Sequence, residues 1–315
     1  MMTGRDEISI PPGTIVSGKW HGRRYQMIRR LGSGTQGTVY LVKAGNKKVA
    51  MKIAKNRGSL ISEVNVLKRT GELQGQPLGP SLFDNDDWIV NNQIFSFCVM
   101  EYLDGVPLSE ALRNKPFDWA VIYVIQLLSV LGRLHRAGYI FGDLKPENII
   151  LLSPGHTVRC LDFGGATRIG RSVREYTTFY DRGYWGYGTR KAEPSYDLFA
   201  CTMMMIYAAE GRTFEKNGNR EKQLVQIVRT NDKLARYRSI LEKGLAGRYA
   251  LAEEMRRDML QKATEQESAP VLRRSHTSRS AVSRTGSERN GWFGAIVTAS
   301  VIMAAYVLFV MVYIM

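Results

Sequence analysis

A glycine-rich segment near the start of the chain constrains the fold more than any other feature. Residues 31–40 read Leu-Gly-Ser-Gly-Thr-Gln-Gly-Thr-Val-Tyr, a Gly-x-Gly-x-x-Gly-x-Val pattern whose backbone N–H groups can approach a phosphate closely. In dinucleotide-binding proteins such a pattern opens a helix. Here residues 38–42 alternate like a strand, and a second strand-like run follows at residues 48–54. The sequence therefore predicts a β-hairpin over a phosphate and disfavours the dinucleotide fold.

Two charged side chains follow in this region. The second strand carries Val-Ala-Met-Lys, which places Lys52 beside the glycine-rich loop. Apolar residues at positions 60, 64 and 67 then recur at helical spacing, and Glu63 lies at the edge of that stripe. A carboxylate at such an edge is costly to bury unless it is paired, so we expect an ion pair with Lys52. A glutamate that faces water remains open as the alternative.

A polar segment at residues 142–148, Gly-Asp-Leu-Lys-Pro-Glu-Asn, separates a helix-like run from a strand-like run. An Asp-Phe-Gly motif begins fourteen residues after Asn148, at Asp162. Two adjacent loops thus supply two carboxylates, an ammonium and an amide, which suits phosphoryl transfer. Asp143 would position a hydroxyl and Lys145 would neutralise phosphate charge, while Asn148 and Asp162 would offer oxygen ligands to Mg²⁺. Taken alone, the segment also fits a plain polar turn.

Composition limits the setting in which this chemistry occurs. The 315 residues suffice for two lobes, and the net charge of +15 indicates an anionic partner such as nucleic acid or acidic lipid. A solvated surface that happens to be basic explains the charge equally well. Cys98, Cys160 and Cys201 lie far apart in apolar contexts, which predicts buried, reduced thiols rather than a metal site.

The C-terminal part of the chain predicts a membrane anchor. Residues 292–315 carry no charge, and at about 1.5 Å per residue they are long enough to cross a bilayer. Arginines precede this stretch, so the positive-inside rule places the preceding residues in the cytoplasm. We expect no signal peptide, no sensor domain on the far side, and a single-pass protein of the cell membrane. Residues 263–290, rich in Ser, Thr and Arg, read as a disordered linker that is a candidate for autophosphorylation.

Together these ordered motifs resemble the Hanks-type Ser/Thr protein kinases over roughly residues 25–260. The resemblance implies an α+β, bilobal protein-kinase fold: a small antiparallel β-sheet lobe with one helix and a larger helical lobe, followed here by one C-terminal transmembrane helix. The predicted domains are an irregular leader (1–20), a kinase domain (21–262, with lobes at 21–101 and 105–262), a basic linker (263–290) and the transmembrane helix (291–315).

The resemblance also implies roles for individual residues. ATP and Mg²⁺ would be the cofactors, with Mn²⁺ as an alternative ion. Lys52 would contact the phosphates and pair with Glu63, Asp143 would be the catalytic base, and Lys145 would stabilise the transferred phosphate. Asn148 and Asp162 would hold the metal. The residues implied to surround ATP are Leu31, Gly32, Ser33, Gly34, Thr35, Gln36, Gly37, Val39, Ala50, Lys52, Met100, Glu101 and Leu103.

Three further residues are implied to support the site. Asp197 would brace the catalytic loop, and Thr177 would lie beside the catalytic Asp143. Thr178 is an exposed candidate for autophosphorylation. Both threonines also fit ordinary loop hydroxyls, and the sequence leaves this open.

The chain departs from the family pattern at three places. Phe141-Gly142 replaces the usual His-Arg before the catalytic aspartate, which puts control by an activation-segment phosphate in doubt. Arg182-Gly183-Tyr184 replaces Ala-Pro-Glu, so the end of the activation segment (residues 162–184) is predicted to be loosely held. The lower lobe is short, and we expect its last helices to be missing or rearranged.

The small size and the anchor without an outer domain resemble the YabT-type membrane kinases of spore-forming bacilli, which implies a role in sporulation. Expected partners are protein substrates with Ser or Thr, the membrane, DNA or anionic lipid, and a second copy of the chain. Two alternatives remain: a nucleotide-binding pseudokinase scaffold and a membrane-tethered DNA-binding regulator. Lys145 and the complete glycine-rich loop disfavour a small-molecule phosphotransferase.

Overall fold

Six antiparallel strands and one helix form the N-terminal lobe. The computed structural model describes residues 10–73, 75, 77–174, 176–217 and 220–265. The strands run in the order β1-β2-β3-β4-β6-β5, and helix α1 packs against β4, β5 and β6. Their bounds are β1 Ile15–Ser17, β2 Arg24–Ser33, β3 Gly37–Ala44, β4 Lys47–Ala54, α1 Arg57–Gly71, β5 Leu82–Val90 and β6 Gln93–Glu101. The hairpin predicted after the glycine-rich loop is β3 and β4, which pair throughout their length.

The alternation of side chains along β4 explains where Lys52 points. Val49, Met51 and Ile53 lie in the core on one face of the sheet, while Ala50 and Ala54 pack with residues of α1 on the other. Because successive strand residues face opposite sides, Lys52 lies on the α1 face with Ala50 and Ala54. The alternation of side chains along β4 therefore places Lys52 next to α1, the helix that carries its predicted partner Glu63.

The predicted irregular leader, residues 1–20, is wrong for the part that the structure describes. Strand β1 pairs with β2, and Val16 is fully buried in the lobe. After β1 the chain reaches the opposite edge of the sheet, where the Lys19 backbone N–H donates to the Asp87 carbonyl at 2.8 Å. These residues were missed because a three-residue strand gives too short a pattern to detect.

The Gly, Pro and Asp residues of segment 71–87 predict a loop, and residues 88–97 read as a strand. Both predictions are partly wrong, because strand β5 already begins at Leu82 and a turn interrupts residues 88–97. Asn91 and Asn92 form the turn with φ of 48° and 62°. Asparagine tolerates this left-handed conformation, which two-residue hairpins require, so the Asn-Asn pair was the available signal.

The C-terminal lobe is built on two buried helices, α3 and α5, that pack against each other. Its helices are α2 Leu108–Asn114, α3 Phe117–Arg136, α4 Arg182–Trp185, α5 Pro194–Glu210, α6 Arg220–Thr230, α7 Arg238–Leu245 and α8 Ala252–Thr264. Its short strands are β7 Gly105–Pro107, β8 Tyr139–Ile140, β9 Ile149–Leu152, β10 Thr157–Cys160 and β11 Thr167–Arg168. Helix α5 ends at Gly211, which takes the left-handed conformation common after the last turn of a helix.

The expectation that the last helices are missing is wrong, because α6, α7 and α8 complete the lobe. Helix α8 packs on α3, where a Cβ placed on Gly132 would lie only 2.4 Å from Glu253, and Arg136 pairs with the same glutamate. Within the described residues, α3 is the one helix long and apolar enough to cross a membrane, and it is the central core helix of this lobe. The predicted linker and transmembrane helix (residues 263–290 and 291–315) lie outside the described residues from 266 onward.

Candidate active site

A cleft of about 740 Å³ separates the glycine-rich hairpin from the loops that follow β8 and β10. It is lined by every residue that the sequence predicted to contact ATP, together with the predicted catalytic and metal-binding residues Asp143, Lys145, Glu63, Asn148 and Asp162. Asp197, Thr177 and Thr178 are not part of this lining. The fold therefore brings two distant parts of the sequence to one cavity.

Lys52 is buried between two carboxylates. Its Nζ lies 2.7 Å from Oε2 of Glu63 and 2.9 Å from Oδ1 of Asp162. Burial alone would lower the pKa of Lys52, but the two carboxylates raise it well above its usual range, so the ammonium stays charged. Burial raises the pKa of Glu63 to about 7, against the opposing effect of Lys52. Lys52 and a backbone N–H outweigh burial at Asp162 and lower the pKa of that carboxyl.

Asp143 forms a triangle with two neighbours. Lys145 Nζ lies 2.9 Å from Asp143 Oδ2, and the Thr177 hydroxyl donates to Asp143 Oδ1 at 2.8 Å. Lys145 Nζ also donates to the Thr177 hydroxyl at 3.0 Å. The carboxylate is thus oriented from two sides while part of it faces the cleft. Thr178, next in the chain, is exposed.

Asp197 holds the backbone immediately before Asp143. Its carboxylate is fully buried and accepts hydrogen bonds from the N–H groups of Phe141 (2.7 Å) and Gly142 (3.0 Å), and it lies 2.9 Å from His135 Nε2. Gly142 has a φ of +83°, and a Cβ there would lie 2.5 Å from the Gly165 carbonyl oxygen. Gly142 stands where the family usually has an arginine. It lies against the loop after β10, at a position that only glycine fits.

The residues present fit a divalent cation. Asn148 and Asp162 both line the cleft, and the Leu161 N–H donates to the Asn148 carbonyl at 2.8 Å, which holds their two loops together. The Asn148 side-chain N–H donates to the Asp143 carbonyl at 2.9 Å. This orientation leaves the amide oxygen of Asn148 available to bind a metal ion. Carboxylate and amide oxygens are ligands that Mg²⁺ accepts, usually with several waters and substrate phosphates.

The end of the activation segment is firmly held, contrary to the sequence prediction. Asp181 is fully buried and accepts hydrogen bonds from Arg190 (2.9 and 2.7 Å) and from the Tyr196 hydroxyl (2.9 Å). Next to it, buried Arg182 pairs with Glu193 at 2.7 Å. Two ion pairs within residues 181–196 thus hold the end of the activation segment, although Tyr184 occupies the position of the usual glutamate.

Sequence reasoning missed these residues and two others, His135 beside Asp197 and Arg159. Arg159 is buried and pairs with Glu101 at 2.8 Å, which holds the end of β6 where it lines the cleft. The one usable signal was at Asp181, because an aspartate directly before a short helix commonly caps it. Asp181 does so, accepting from the N–H groups of Gly183 and Tyr184. The other partners follow no helix or strand spacing and therefore leave no local pattern.

The fold and this set of side chains are those of a protein kinase. Residues 25–273 match the protein kinase domain family, and the chain belongs to it. It is a protein-serine/threonine kinase of the Hanks type found in bacteria. The chain is 46% identical to the serine/threonine-protein kinase YabT of Bacillus subtilis over 254 residues, which cover 80% of this chain and 75% of that protein.

Solved structures show the same fold at low sequence identity. The kinase domain of PknI from Mycobacterium tuberculosis aligns with a TM-score of 0.59 and 17% identity, over 81% of this chain and all of that one. Vaccinia related kinase 3 aligns with a TM-score of 0.59 and 20% identity, over 80% of this chain and 90% of that one. Both likenesses concern the fold alone.

Proposed function

We propose that this chain is an active, Mg·ATP-dependent protein kinase that phosphorylates Ser and Thr, held at the cytoplasmic face of the cell membrane. The observation that carries the catalytic proposal is the triangle of Asp143, Lys145 and Thr177 at the mouth of the cleft that Lys52 and Asp162 also line. Nothing in this set favours a nucleotide-binding scaffold without turnover.

In this mechanism, Asp143 accepts a hydrogen bond from the substrate hydroxyl and takes its proton as the oxygen attacks the γ-phosphorus of ATP. A new O–P bond forms, the bond from the γ-phosphorus to the bridging oxygen breaks, and ADP leaves. Lys145 stabilises the charge on the moving phosphoryl group, and Lys52 holds the other phosphates. Asn148 and Asp162 would hold Mg²⁺, which would supply positive charge to the phosphates. Positioning and charge stabilisation do most of the catalytic work.

Thr178 is the proposed site of autophosphorylation within the activation segment. It is exposed, and it directly follows Thr177, whose hydroxyl bonds to Asp143. Mass spectrometry of the purified chain after incubation with Mg·ATP tests this proposal. Phosphate on Thr178 is expected, and unmodified Thr178 after complete turnover of ATP contradicts it.

The membrane and polyanion proposals rest on the sequence. The uncharged stretch at residues 292–315 supports a single-pass anchor, and the net charge of +15 supports activation by DNA or anionic lipid through phosphate contacts. Residues 211–262 hold thirteen Lys and Arg against seven Asp and Glu, so the excess of basic residues extends beyond the arginines near the anchor. A second copy of the chain remains a proposed partner.

The deciding experiment follows phosphate transfer by the full chain in detergent, with Mg·ATP, with and without duplex DNA or anionic vesicles. We expect transfer that is lost in Asp143→Asn and that increases with one polyanion, less so as salt rises. Unchanged transfer in Asp143→Asn overturns the catalytic assignment. Transfer that ignores both polyanions removes the regulatory proposal and leaves the enzyme.

A further inference from the structure

We propose that Arg168, Arg171 and Arg174 form a binding site for acidic side chains of the protein substrate, so that the kinase selects Ser and Thr flanked by Asp or Glu. These three residues are called the arginine wall below. The proposal rests on the assignment of Asp143 as the catalytic carboxylate, since it concerns the surface on which a substrate must lie to reach that residue.

The arginine wall lies beside the catalytic triangle. A second cleft, of about 1420 Å³, is lined by Asp143, Lys145 and Thr177 on one side and by the three arginines along the activation segment. All three arginine side chains are exposed. A polypeptide that places a hydroxyl at Asp143 through this cleft therefore passes the wall.

The backbone that carries the arginine wall is fixed in place. Arg168 belongs to β11, which pairs with β8. The Arg171 carbonyl accepts from Ala192 N–H at 2.7 Å, and the N–H of buried Val173, next to Arg174, donates to the Arg190 carbonyl at 2.8 Å. The charges are thus presented on an ordered surface that needs little rearrangement to receive a ligand.

Among the described residues that line this cleft, positive charges outnumber negative ones. Among the described residues that line it, Asp143 is the one carboxylate, and it already lies 2.9 Å from Lys145. No carboxylate of the described chain lies within ion-pair distance of the arginine wall. The nearby Arg182 and Arg190, by contrast, are paired with Glu193 and Asp181.

The opposite side of the cleft adds no negative charge. It is formed by the start of α1, where Ser59 and Ser62 line the cavity and the first helical turn contains no acidic residue. The N-terminus of a helix carries partial positive charge, which favours an anionic ligand on this side as well. The cleft therefore repels basic flanks and attracts acidic ones.

Two sources could supply an anion to this wall: acidic side chains of a substrate or a phosphate on the chain's own activation segment. We commit to the substrate, because the arginines line an open cleft that reaches Asp143. One consequence concerns the linker at residues 263–290, whose serines and threonines lie among arginines. Arginines beside these serines and threonines would be repelled by the arginine wall, so the linker is expected to be a poor substrate.

The test measures kcat/KM of the full chain in detergent on three peptide series that differ only in the residues around one Ser or Thr: Asp/Glu, Gln, or Lys/Arg. We expect acidic peptides to exceed the Gln peptides by about tenfold at low salt, as two or three exposed ion pairs would give, with the advantage shrinking as salt rises. In the variant R168Q/R171Q/R174Q the ratio of acidic to Gln peptides is expected to fall towards one, whatever the absolute rate.

A matched control makes the same change of charge elsewhere. Arg113, Arg212 and Arg248 are also exposed and lie outside both clefts, so R113Q/R212Q/R248Q is expected to keep the acidic preference.

The proposal is overturned by equal use of acidic and Gln peptides, or by a preference that survives in the arginine-wall variant. It is also overturned if R168Q/R171Q/R174Q and S172A/T178V slow all three peptide series by the same factor, because the ligand of the wall would then be an intramolecular phosphate. Complete inactivity of the unmodified chain on all peptides would count against the catalytic assignment instead.

Discussion

The guanidinium of Arg190 makes two hydrogen bonds, of 2.9 and 2.7 Å, to one oxygen of Asp181, a carboxylate that is fully buried. Arg190 also lies over the ring of Tyr176, with its guanidinium carbon 4.0 Å from the ring centre. The pair joins the end of the activation segment to the residues just before α5. It therefore stabilises the segment in a chain that lacks the glutamate usual in this family.

We expect strong coupling between Asp181 and Arg190. A double-mutant cycle with Asp181→Asn and Arg190→Gln, measured by urea unfolding, should give a coupling free energy of about 2 kcal/mol because one partner is fully buried. The exposed pair Arg229–Glu242 has a similar separation, 2.7 Å, and serves as the control. Its coupling should stay below about 0.5 kcal/mol. Equal coupling in the two pairs would show that burial of Asp181 contributes nothing.

A pH dependence is expected from Glu63. Its pKa is raised to about 7 by burial, so below that pH the side chain is protonated and its attraction for the charged Lys52 is lost. Transfer should therefore increase with pH between about 6 and 8. Glu63→Gln should be slower and should lack this increase. An identical pH profile in both proteins would assign the titration to another group.

The hydroxyl of Thr177 is expected to matter for catalysis rather than for folding. It donates to Asp143 at 2.8 Å and accepts from Lys145 at 3.0 Å, so its removal leaves Asp143 oriented only through its Oδ2, which Lys145 contacts. Thr177→Val should lower kcat by about 10- to 100-fold. Thr177→Ser keeps the hydroxyl and should restore most of the rate. Equal loss in both variants would point to packing of the methyl group instead.

Gly142 should be the least replaceable of the glycines with positive φ. Gly142→Ala combines backbone strain at φ +83° with a Cβ that would lie 2.5 Å from a backbone oxygen, whereas Gly138, at φ +87°, has no atom within 4 Å of that position. Gly138→Ala should cost about 1 kcal/mol of unfolding free energy, and Gly142→Ala clearly more. Thermal or urea unfolding of the two variants measures the difference. Similar losses would mean that the loop after β10 moves away freely.

The residues that line the cleft could be predicted because each belongs to a short local motif. A glycine-rich loop before two strands, a lysine in the second strand and the Asp-x-Lys-x-x-Asn segment each carry their own pattern. The approach of Glu63 to Lys52 was predicted for the same reason, because both the strand period and the helix period were visible. Long apolar-rich runs at residues 117–137 and 196–210 predict helices, and they correspond to α3 and α5.

The tertiary structure alone decided which charged side chains form ion pairs outside the motifs. Arg159 with Glu101 is a pair between strands β10 and β6. Asp181 with Arg190 and Arg182 with Glu193 are pairs across the irregular segment between α4 and α5, and no helix or strand spacing predicts them. The same holds for the arginine wall, which has no carboxylate partner among the described residues, a feature that becomes visible only in the folded chain. A motif is recognised from residues that are close together in the sequence. An ion pair depends instead on where the folded chain places its two partners. The sequence therefore determined the chemistry of the cleft, and the fold determined how its supports are held and which charges remain for a substrate.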